Sequence, residues 1–155
     1  MIGTSEPAPK EPNKTYLKEA ESTSQKIAFE ANSKKRVLAV DDNPSMRTLL
    51  YDALSFLGYE VVAAGSGVDG FEQFIQTSFD LVITDCQMPG MDGWQLAALV
   101  KKVSTRTPVI MVTGQDEYAV MDKMQDSDID YIMFKPFKLD DLYTTVLVSL
   151  ETKLS

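Results

Sequence analysis

Five side chains of this sequence stand where short apolar segments end, and their types suit chemistry on a phosphoryl group. They are Asp41, Asp42, Asp85, Thr113 and Lys135, at the ends of RVLAV (36–40), DLVITD (80–85), PVIMVT (108–113) and YIMF (131–134). Carboxylates that lie close together raise one another's pKa unless a cation between them favours the ionised forms. The three aspartates therefore predict a site for a hard divalent cation.

Mg²⁺ is the cation that these oxygen ligands predict, with Mn²⁺ as its substitute. Protein-bound Mg²⁺ takes one or two carboxylates, a carbonyl oxygen, waters and phosphate oxygens. The carboxylates of Asp42 and Asp85 and the backbone carbonyl of Gln87 match that set. Asp41 is expected to act through a water molecule. A turn that only caps the next helix is the alternative for Asp41 and Asp42, but Asn43 can supply that cap without them.

Asp85 is the candidate phosphoryl acceptor, because it stands alone at the end of the third apolar segment, which we expect to be the central strand. A carboxylate whose charge is offset by a cation can attack phosphorus and form an aspartyl phosphate. The transferred group then needs positive charge and hydrogen-bond donors at its equatorial oxygens more than it needs acid-base catalysis. The ammonium of Lys135 and the hydroxyl of Thr113 are predicted to supply them.

Alternation of short apolar runs with helical stretches predicts one α/β domain over residues 35–155. The strands are expected at 36–40, 60–64, 80–85, 108–113 and 131–134, and the helices at 44–57, 68–76, 93–103, 117–124 and 140–152. Right-handed crossovers would place helices on both faces of a five-stranded parallel sheet, which is a doubly wound fold. Ligands of such sheets bind beyond the carboxyl ends of the strands, where the five candidate side chains would meet.

Residues 1–34 are rich in Lys, Glu, Ser, Pro and Asn and hold too few apolar side chains to build a core. We interpret them as an N-terminal arm or linker that is partly disordered. A short amphipathic helix is the alternative, because five residues follow a helical spacing: Leu17, Ala20, Ser24, Ile27 and Ala31.

Composition disfavours several other classes of function. The 23 acidic against 15 basic residues disfavour direct DNA binding, which needs Lys and Arg to displace counterions. The absence of histidine excludes Ser-His-Asp and Cys-His catalysis and a phosphohistidine carrier role for this chain. No apolar run approaches the roughly 20 residues that span a bilayer. The first residues lack a secretion signal and Cys86 has no cysteine partner, so a cytoplasmic protein is expected.

Four fragments resemble the receiver domain of two-component response regulators: VLAVDDNP (37–44), LVITDCQMPGMDG (81–93), VIMVTG (109–114) and YIMFKPF (131–137). The resemblance covers residues 35–150 with the expected spacing. It implies a flavodoxin-like (βα)5 fold with strand order 2-1-3-4-5. It also implies that a sensor histidine kinase or a histidine phosphotransfer protein phosphorylates Asp85, and that the Lys135-Pro136 peptide bond is cis.

One position departs from the family pattern. Three residues before the lysine, where the family usually has a switching Tyr or Phe, this chain has Ile132. Tyr131 is adjacent, but alternation along a strand should point it to the opposite face. A slip of the strand by one residue would let Tyr131 take the switch role, but it would also turn the buried side chains outward.

A dinucleotide site is a competing interpretation, because residues 65–70, GSGVDG, match the pattern G-x-G-x-x-G. Such a site would leave Thr113 and Lys135 without a role. Asp69 would also bring negative charge towards the pyrophosphate.

A phosphatase with an aspartate nucleophile is another competitor. That class, typified by the haloacid dehalogenases, has a second aspartate two residues after the nucleophile. Gln87 stands there after Asp85, and Asn43 stands there after Asp41, so the motif is missing at both aspartates.

The function that follows is a signalling switch and not an enzyme, since its own chemistry is limited to weak self-phosphorylation and self-dephosphorylation. The sequence stops after the fifth helix, so output is expected through a downstream protein that binds the fourth helix, the fifth strand and the fifth helix. Both a stand-alone regulator and the receiver of a hybrid sensor kinase fit the sequence. A receiver-like module that docks partners without phosphorylation is the alternative function.

Overall fold

The structure, a computed structural model, describes residues 34–152. Five strands alternate with five helices along this part of the chain, and each lies within one residue of its predicted bounds. In chain order they are β1 (Arg36–Val40), α1 (Pro44–Phe56), β2 (Glu60–Ala64), α2 (Gly67–Gln76), β3 (Leu81–Asp85), α3 (Gly93–Val103), β4 (Val109–Thr113), α4 (Glu117–Met124), β5 (Tyr131–Phe134) and α5 (Leu139–Glu151). None of these described helices has the length and apolar character needed to cross a membrane. The helix considered in the N-terminal arm lies outside the described residues.

The five strands form one parallel sheet in the order β2-β1-β3-β4-β5. This order confirms the doubly wound fold predicted from the sequence and the flavodoxin-like strand order that the resemblance implied. The apolar runs form buried strands because helices cover both faces of a parallel sheet. β3 is the central strand, so Asp85 at its end lies between the ends of β1 and β4.

Side chains that alternate along β1 enter two separate core layers. Val37 and Ala39 belong to the layer under α1 and α5, whereas Leu38 and Val40 belong to the layer under α2 and α3. All four are fully buried. Because both layers exclude water, the polar side chains of the strands collect at the strand ends.

Tyr131 and Ile132 point to opposite faces of β5, as the period of a strand predicts. Tyr131 pairs with Ile110 and Ile132 pairs with Met111 in the parallel register. Ile132 packs on the layer under α2 and α3. Tyr131 packs on the opposite layer, and its hydroxyl lies 2.9 Å from Oγ1 of Thr152. The slip by one residue that the sequence left open does not occur.

Two of the three glycines of residues 65–70, Gly67 and Gly70, are required by close packing of α2. A Cβ atom on Gly67 would lie 2.6 Å from the carbonyl oxygen of Met91, and one on Gly70 would lie 2.7 Å from Cγ2 of Val40. Real side chains do not tolerate such distances, so only glycine lets α2 approach this closely. Packing therefore accounts for the pattern that resembled a dinucleotide site.

Candidate functional site

Three carboxylates meet at the carboxyl edge of the sheet. Asp41 and Asp42 follow β1, and Asp85 ends the neighbouring strand β3. One carboxylate oxygen from each residue lies within 4.8 Å of the other two. Asp41 is buried, Asp85 is partly buried and Asp42 is exposed, so the cluster opens to solvent on the side of Asp42. This separation of oxygen atoms suits a shared divalent cation.

Asp41 carries a charge that its surroundings compensate only in part. Its Oδ1 atom accepts a hydrogen bond from the N–H of Asn43 at 2.8 Å, whereas its buried Oδ2 atom accepts no hydrogen bond from the described residues and has an ion-pair contact with Nζ of Lys135 at 3.5 Å. Burial raises the pKa of Asp41, and the charge of Asp85 adds to the rise; the hydrogen bond from Asn43 and the charge of Lys135 oppose it. A divalent cation would favour the ionised form, so the residues present fit Mg²⁺.

Lys135 reaches the cluster from the end of β5. Its backbone N–H donates to the carbonyl of Thr113 at 2.8 Å, and the Lys135-Pro136 bond is cis, as the resemblance implied. Its Nζ atom lies 3.4 Å from Oδ1 of Asp85 and 3.5 Å from Oδ2 of Asp41. The predicted convergence of Lys135 with the aspartates is therefore confirmed as geometry.

Thr113 ends β4, the strand beside the one that carries Asp85. Val112 is the register partner of Asp85, so Thr113 lies one residue beyond it. Thr113 is buried, and its hydroxyl oxygen accepts a hydrogen bond from the N–H of Gln115 at 3.1 Å. Gln87 is exposed two residues after Asp85, and the use of its backbone carbonyl as a metal ligand stays a prediction.

Cys86 connects the acceptor strand to the loop after β4, a contact that sequence reasoning missed. Its N–H donates to Oδ1 of Asp85 at 2.8 Å, and its thiol donates to Oε1 of Gln115 at 3.0 Å. Burial raises the pKa of the Cys86 thiol, against hydrogen bonds from the side chains of Thr113 and Trp94. The thiol is therefore neutral at physiological pH.

Arg47 is a second residue near the site that sequence reasoning missed. Its Nη1 atom donates to the carbonyl oxygen of Asp41 at 2.9 Å. A Cβ atom on Gly65 would lie 3.0 Å from the same nitrogen, so the end of β2 leaves room for the guanidinium. The signal that could have identified it is its place in the first turn of a helix that begins directly beyond the two adjacent aspartates.

Several known proteins are similar to this chain in sequence. A family model described as the response regulator receiver domain matches residues 37–147. The sensor histidine kinase RcsC of Salmonella typhi is 34% identical over 135 residues, which cover 87% of this chain and 14% of that kinase. The sensor protein EvgS of Escherichia coli (strain K12) is 33% identical over 111 residues, which cover 72% of this chain and 9% of that protein. The chain thus spans a small part of the length of the curated relatives it matches.

Solved structures show the same architecture. A CheY-like response regulator receiver domain protein from Methanospirillum hungatei JF-1 gives a TM-score of 0.73 at 28% identity, over 77% of this chain and 96% of that chain. The response regulator TrrA of Thermotoga maritima, solved in complex with Mg²⁺-BeF, gives 0.68 at 33% identity, over 75% of this chain and 99% of that chain. Fold, motif order and sequence similarity agree. The chain therefore belongs to the response regulator receiver domain family, the signalling domain of two-component systems that pairs with histidine kinases.

Proposed function

We propose that this domain is a phosphoryl-accepting switch in which Asp85 receives the phosphoryl group of a phosphohistidine. The donor is a sensor histidine kinase or a histidine phosphotransfer protein. The observation that carries the proposal is the position of Lys135, whose Nζ atom lies within 3.5 Å of carboxylate oxygens of both Asp85 and Asp41. A site built only for a metal ion would gain nothing from a competing cation. An ammonium beside the acceptor serves a phosphoryl group, whose oxygens carry negative charge.

The acidic cluster supports a Mg²⁺ site, in which Mn²⁺ can substitute. Asp42, Asp85 and the backbone carbonyl of Gln87 would hold the ion, and Asp41 would act through a water molecule. When bound, the ion would offset the charge of the carboxylates and of the phosphate oxygens. The buried Oδ2 atom of Asp41 accepts no hydrogen bond from residues 34–152 and has only the Lys135 ammonium at 3.5 Å to offset its charge, which supports this assignment.

Asp85 attacks through Oδ2, because its Oδ1 atom is engaged by the N–H of Cys86 and lies beside Lys135. A bond forms between Oδ2 and phosphorus while the phosphorus-nitrogen bond of phosphohistidine breaks, and the imidazole nitrogen keeps the electron pair. Lys135 and the hydroxyl of Thr113 bind the equatorial oxygens. Water later attacks the phosphorus and releases inorganic phosphate, which returns Asp85 to its carboxylate. The two forms of the site favour different populations of the domain.

Exposed apolar side chains support output through the face of α4, β5 and α5. Tyr118 of α4 is 87% exposed and Val148 of α5 is 38% exposed. A cavity between β5 and α5 is lined by Ile132 and Phe134 among others. We propose that a downstream protein binds this face, and not DNA, since the sequence has 23 acidic and 15 basic residues.

The setting of the domain in its whole protein is a further proposal. A relative named as a sensor histidine kinase, RcsC, supports a receiver that works beside a kinase, either in a hybrid chain or as a separate regulator. Residues 1–34 would then be an arm or linker before the domain at residues 35–155. A cytoplasmic location is supported by the unpaired thiol of Cys86.

Incubation with phosphoramidate, a small phosphodonor, tests the proposal. Wild-type protein with Mg²⁺ is expected to gain the mass of one phosphoryl group in intact-mass spectra, and a chelator is expected to prevent the gain. Asp85→Asn should not gain it, whereas Asp52→Asn, which changes an exposed aspartate of α1, should behave as wild type. If wild-type protein with Mg²⁺ stays unmodified, the switch is refuted.

A further inference from the structure

α4 is held to the core by fewer side chains than the other helices of residues 34–152. Its one buried residue is Val120, whereas each of the other four helices buries three or more. Its outer face exposes Tyr118 and Met121. A helix with so little buried apolar surface can shift at a low cost in free energy.

A contact between a cation and an aromatic ring joins the last turn of α4 to the first turn of α3. The Nζ atom of Lys123 lies 4.9 Å from the ring centroid of Trp94. At this distance the face of an indole attracts an ammonium group. The contact therefore restrains the C-terminal end of α4.

Trp94 stands on a rigid support next to the acceptor. A reciprocal capping box headed by Asp92 fixes the start of α3. The N–H of Gly93 donates to the carbonyl of Cys86 at 2.8 Å, and a Cβ atom on Gly93 would collide with the carbonyl oxygen of Asp85. The start of α3 is thus packed on the backbone of the acceptor residue.

Hydrogen bonds through Gln115 connect the N-terminal end of α4 to Thr113. The N–H of Gln115 donates to the hydroxyl oxygen of Thr113 at 3.1 Å, and the side chain of Gln115 accepts from the thiol of Cys86 at 3.0 Å. Asp116, the next residue, is the N-cap of α4. A turn of the Thr113 hydroxyl from this arrangement to a phosphoryl group on the acceptor would break its hydrogen bond with Gln115 and release the first turn of α4.

We propose that the contact between Lys123 and Trp94 is a restraint that holds α4 in its phosphoryl-free position and thereby lowers the affinity of the site at Asp85 for a phosphoryl group. The loss of the hydrogen bond at Thr113 frees one end of α4 while the other end stays attached to a fixed support, so a shift of the helix loosens the contact. By linkage, removal of the contact favours the phosphoryl-bound state by the same free energy. This inference rests on the proposed function and adds a regulatory contact to it.

Binding of beryllofluoride with Mg²⁺, titrated by fluorine NMR, tests the restraint with a mimic of the phosphoryl group. Lys123→Met is expected to bind the mimic about two- to five-fold more tightly than wild type. Lys123→Arg keeps a cation over the ring and should bind as wild type does. Lys102→Met removes an exposed lysine at the far end of α3 and is the matched control. Loss of positive charge alone would weaken binding of an anion, so tighter binding has the opposite sign to a general charge effect.

A double variant tests whether the effect of Lys123 depends on the ring of Trp94. In Trp94→Leu protein, the change Lys123→Met should have no further effect, because the partner of the lysine is already absent. Two results would overturn the inference without touching the proposed function. One is that Lys123→Met binds beryllofluoride no more tightly than wild type does. The other is that Lys123→Met raises the affinity for beryllofluoride equally in the wild-type and Trp94→Leu proteins. If wild-type protein does not bind beryllofluoride with Mg²⁺, the proposed function fails and the inference fails with it.

Discussion

The Nζ atom of Lys135 lies 3.5 Å from Oδ2 of Asp41, a buried carboxylate oxygen that accepts no hydrogen bond within the described part of the chain. The ammonium offsets part of the charge that burial disfavours. The same nitrogen lies 3.4 Å from Oδ1 of Asp85. One cation therefore links the predicted metal cluster to the predicted phosphoryl acceptor.

Lys135→Met should change phosphorylation and Mg²⁺ binding in opposite directions. Without the ammonium, the rate of phosphorylation by phosphoramidate is expected to fall by about 10²- to 10³-fold, as when one stabilising donor is removed from a transition state. Mg²⁺ affinity is expected to rise, because a competing cation has left the cluster. Intact-mass kinetics and Mg²⁺ titrations followed by Trp94 fluorescence measure the two effects. Lys138→Met, at an exposed lysine, is the control, and an unchanged rate in Lys135→Met would contradict the role of the ammonium.

Asp42→Ala is expected to weaken Mg²⁺ binding at least about tenfold, because it removes a carboxylate from the cluster. Asp42 is exposed, so the free energy of unfolding of the metal-free protein should change by no more than about 0.5 kcal/mol. Isothermal titration with Mg²⁺ and urea unfolding check the two statements. Asp52→Ala provides an exposed control, and equal Mg²⁺ affinity in Asp42→Ala and wild type would remove Asp42 from the ligands.

Asp41→Asn is expected to increase the free energy of unfolding at neutral pH when a chelator removes Mg²⁺. Burial raises the pKa of Asp41 above its usual 3.8, so between these two values the folded state binds more protons than the unfolded state. Stability from this group therefore falls as pH rises through that window and stays lower above it. The Asp41→Asn protein does not lose this stability, because its amide side chain does not ionise.

Urea unfolding at a series of pH values measures this difference. The advantage of Asp41→Asn over wild type should grow from pH 3.8 upward and then level off. An advantage that shrinks as pH rises would show that the buried carboxylate is stabilising when ionised. Addition of Mg²⁺ should raise the stability of wild type more than that of the variant.

Gly70→Ala tests whether packing explains the glycines of residues 65–70. Its Cβ atom would lie 2.7 Å from Cγ2 of the buried Val40, so the free energy of unfolding should fall by about 1–3 kcal/mol. Gly114→Ala is the matched control, because its nearest neighbour would be Cβ of Lys135 at 3.9 Å. Urea unfolding compares the two variants. If both are equally stable, close packing does not account for Gly70.

The sequence predicts the strands and the convergence of the candidate side chains for physical reasons, whereas the order of the strands was implied by the resemblance to receiver domains. Buried parallel strands are short apolar runs, and their carboxyl ends meet at one edge of the sheet. The sequence alone could therefore place three side chains together at one edge of the sheet: Asp41, Asp85 and Lys135. Alternation along β5 also predicted that Tyr131 and Ile132 face opposite sides, which the register confirms.

Contacts between loops and between surface helices could not be predicted in this way. The thiol of Cys86 meets Gln115 across 29 positions of sequence, and Lys123 meets the ring of Trp94 from another helix. No periodic pattern fixes such pairs, because they depend on how two elements pack and not on the period of either. The hydrogen bond from Arg47 to the backbone of Asp41 was also missed, although it is local and Arg47 lies in the first turn of the helix after the two aspartates.

Borohydride reduction after phosphorylation tests the central claim most directly, because it converts an aspartyl phosphate to homoserine at the residue that carried the phosphoryl group. Wild-type protein treated with phosphoramidate and Mg²⁺, reduced and mapped by peptide mass spectrometry should carry homoserine at position 85. Asp85→Asn should carry none. Homoserine at position 41 or 42, or no homoserine in phosphorylated wild-type protein, would contradict the assignment of Asp85 as the acceptor.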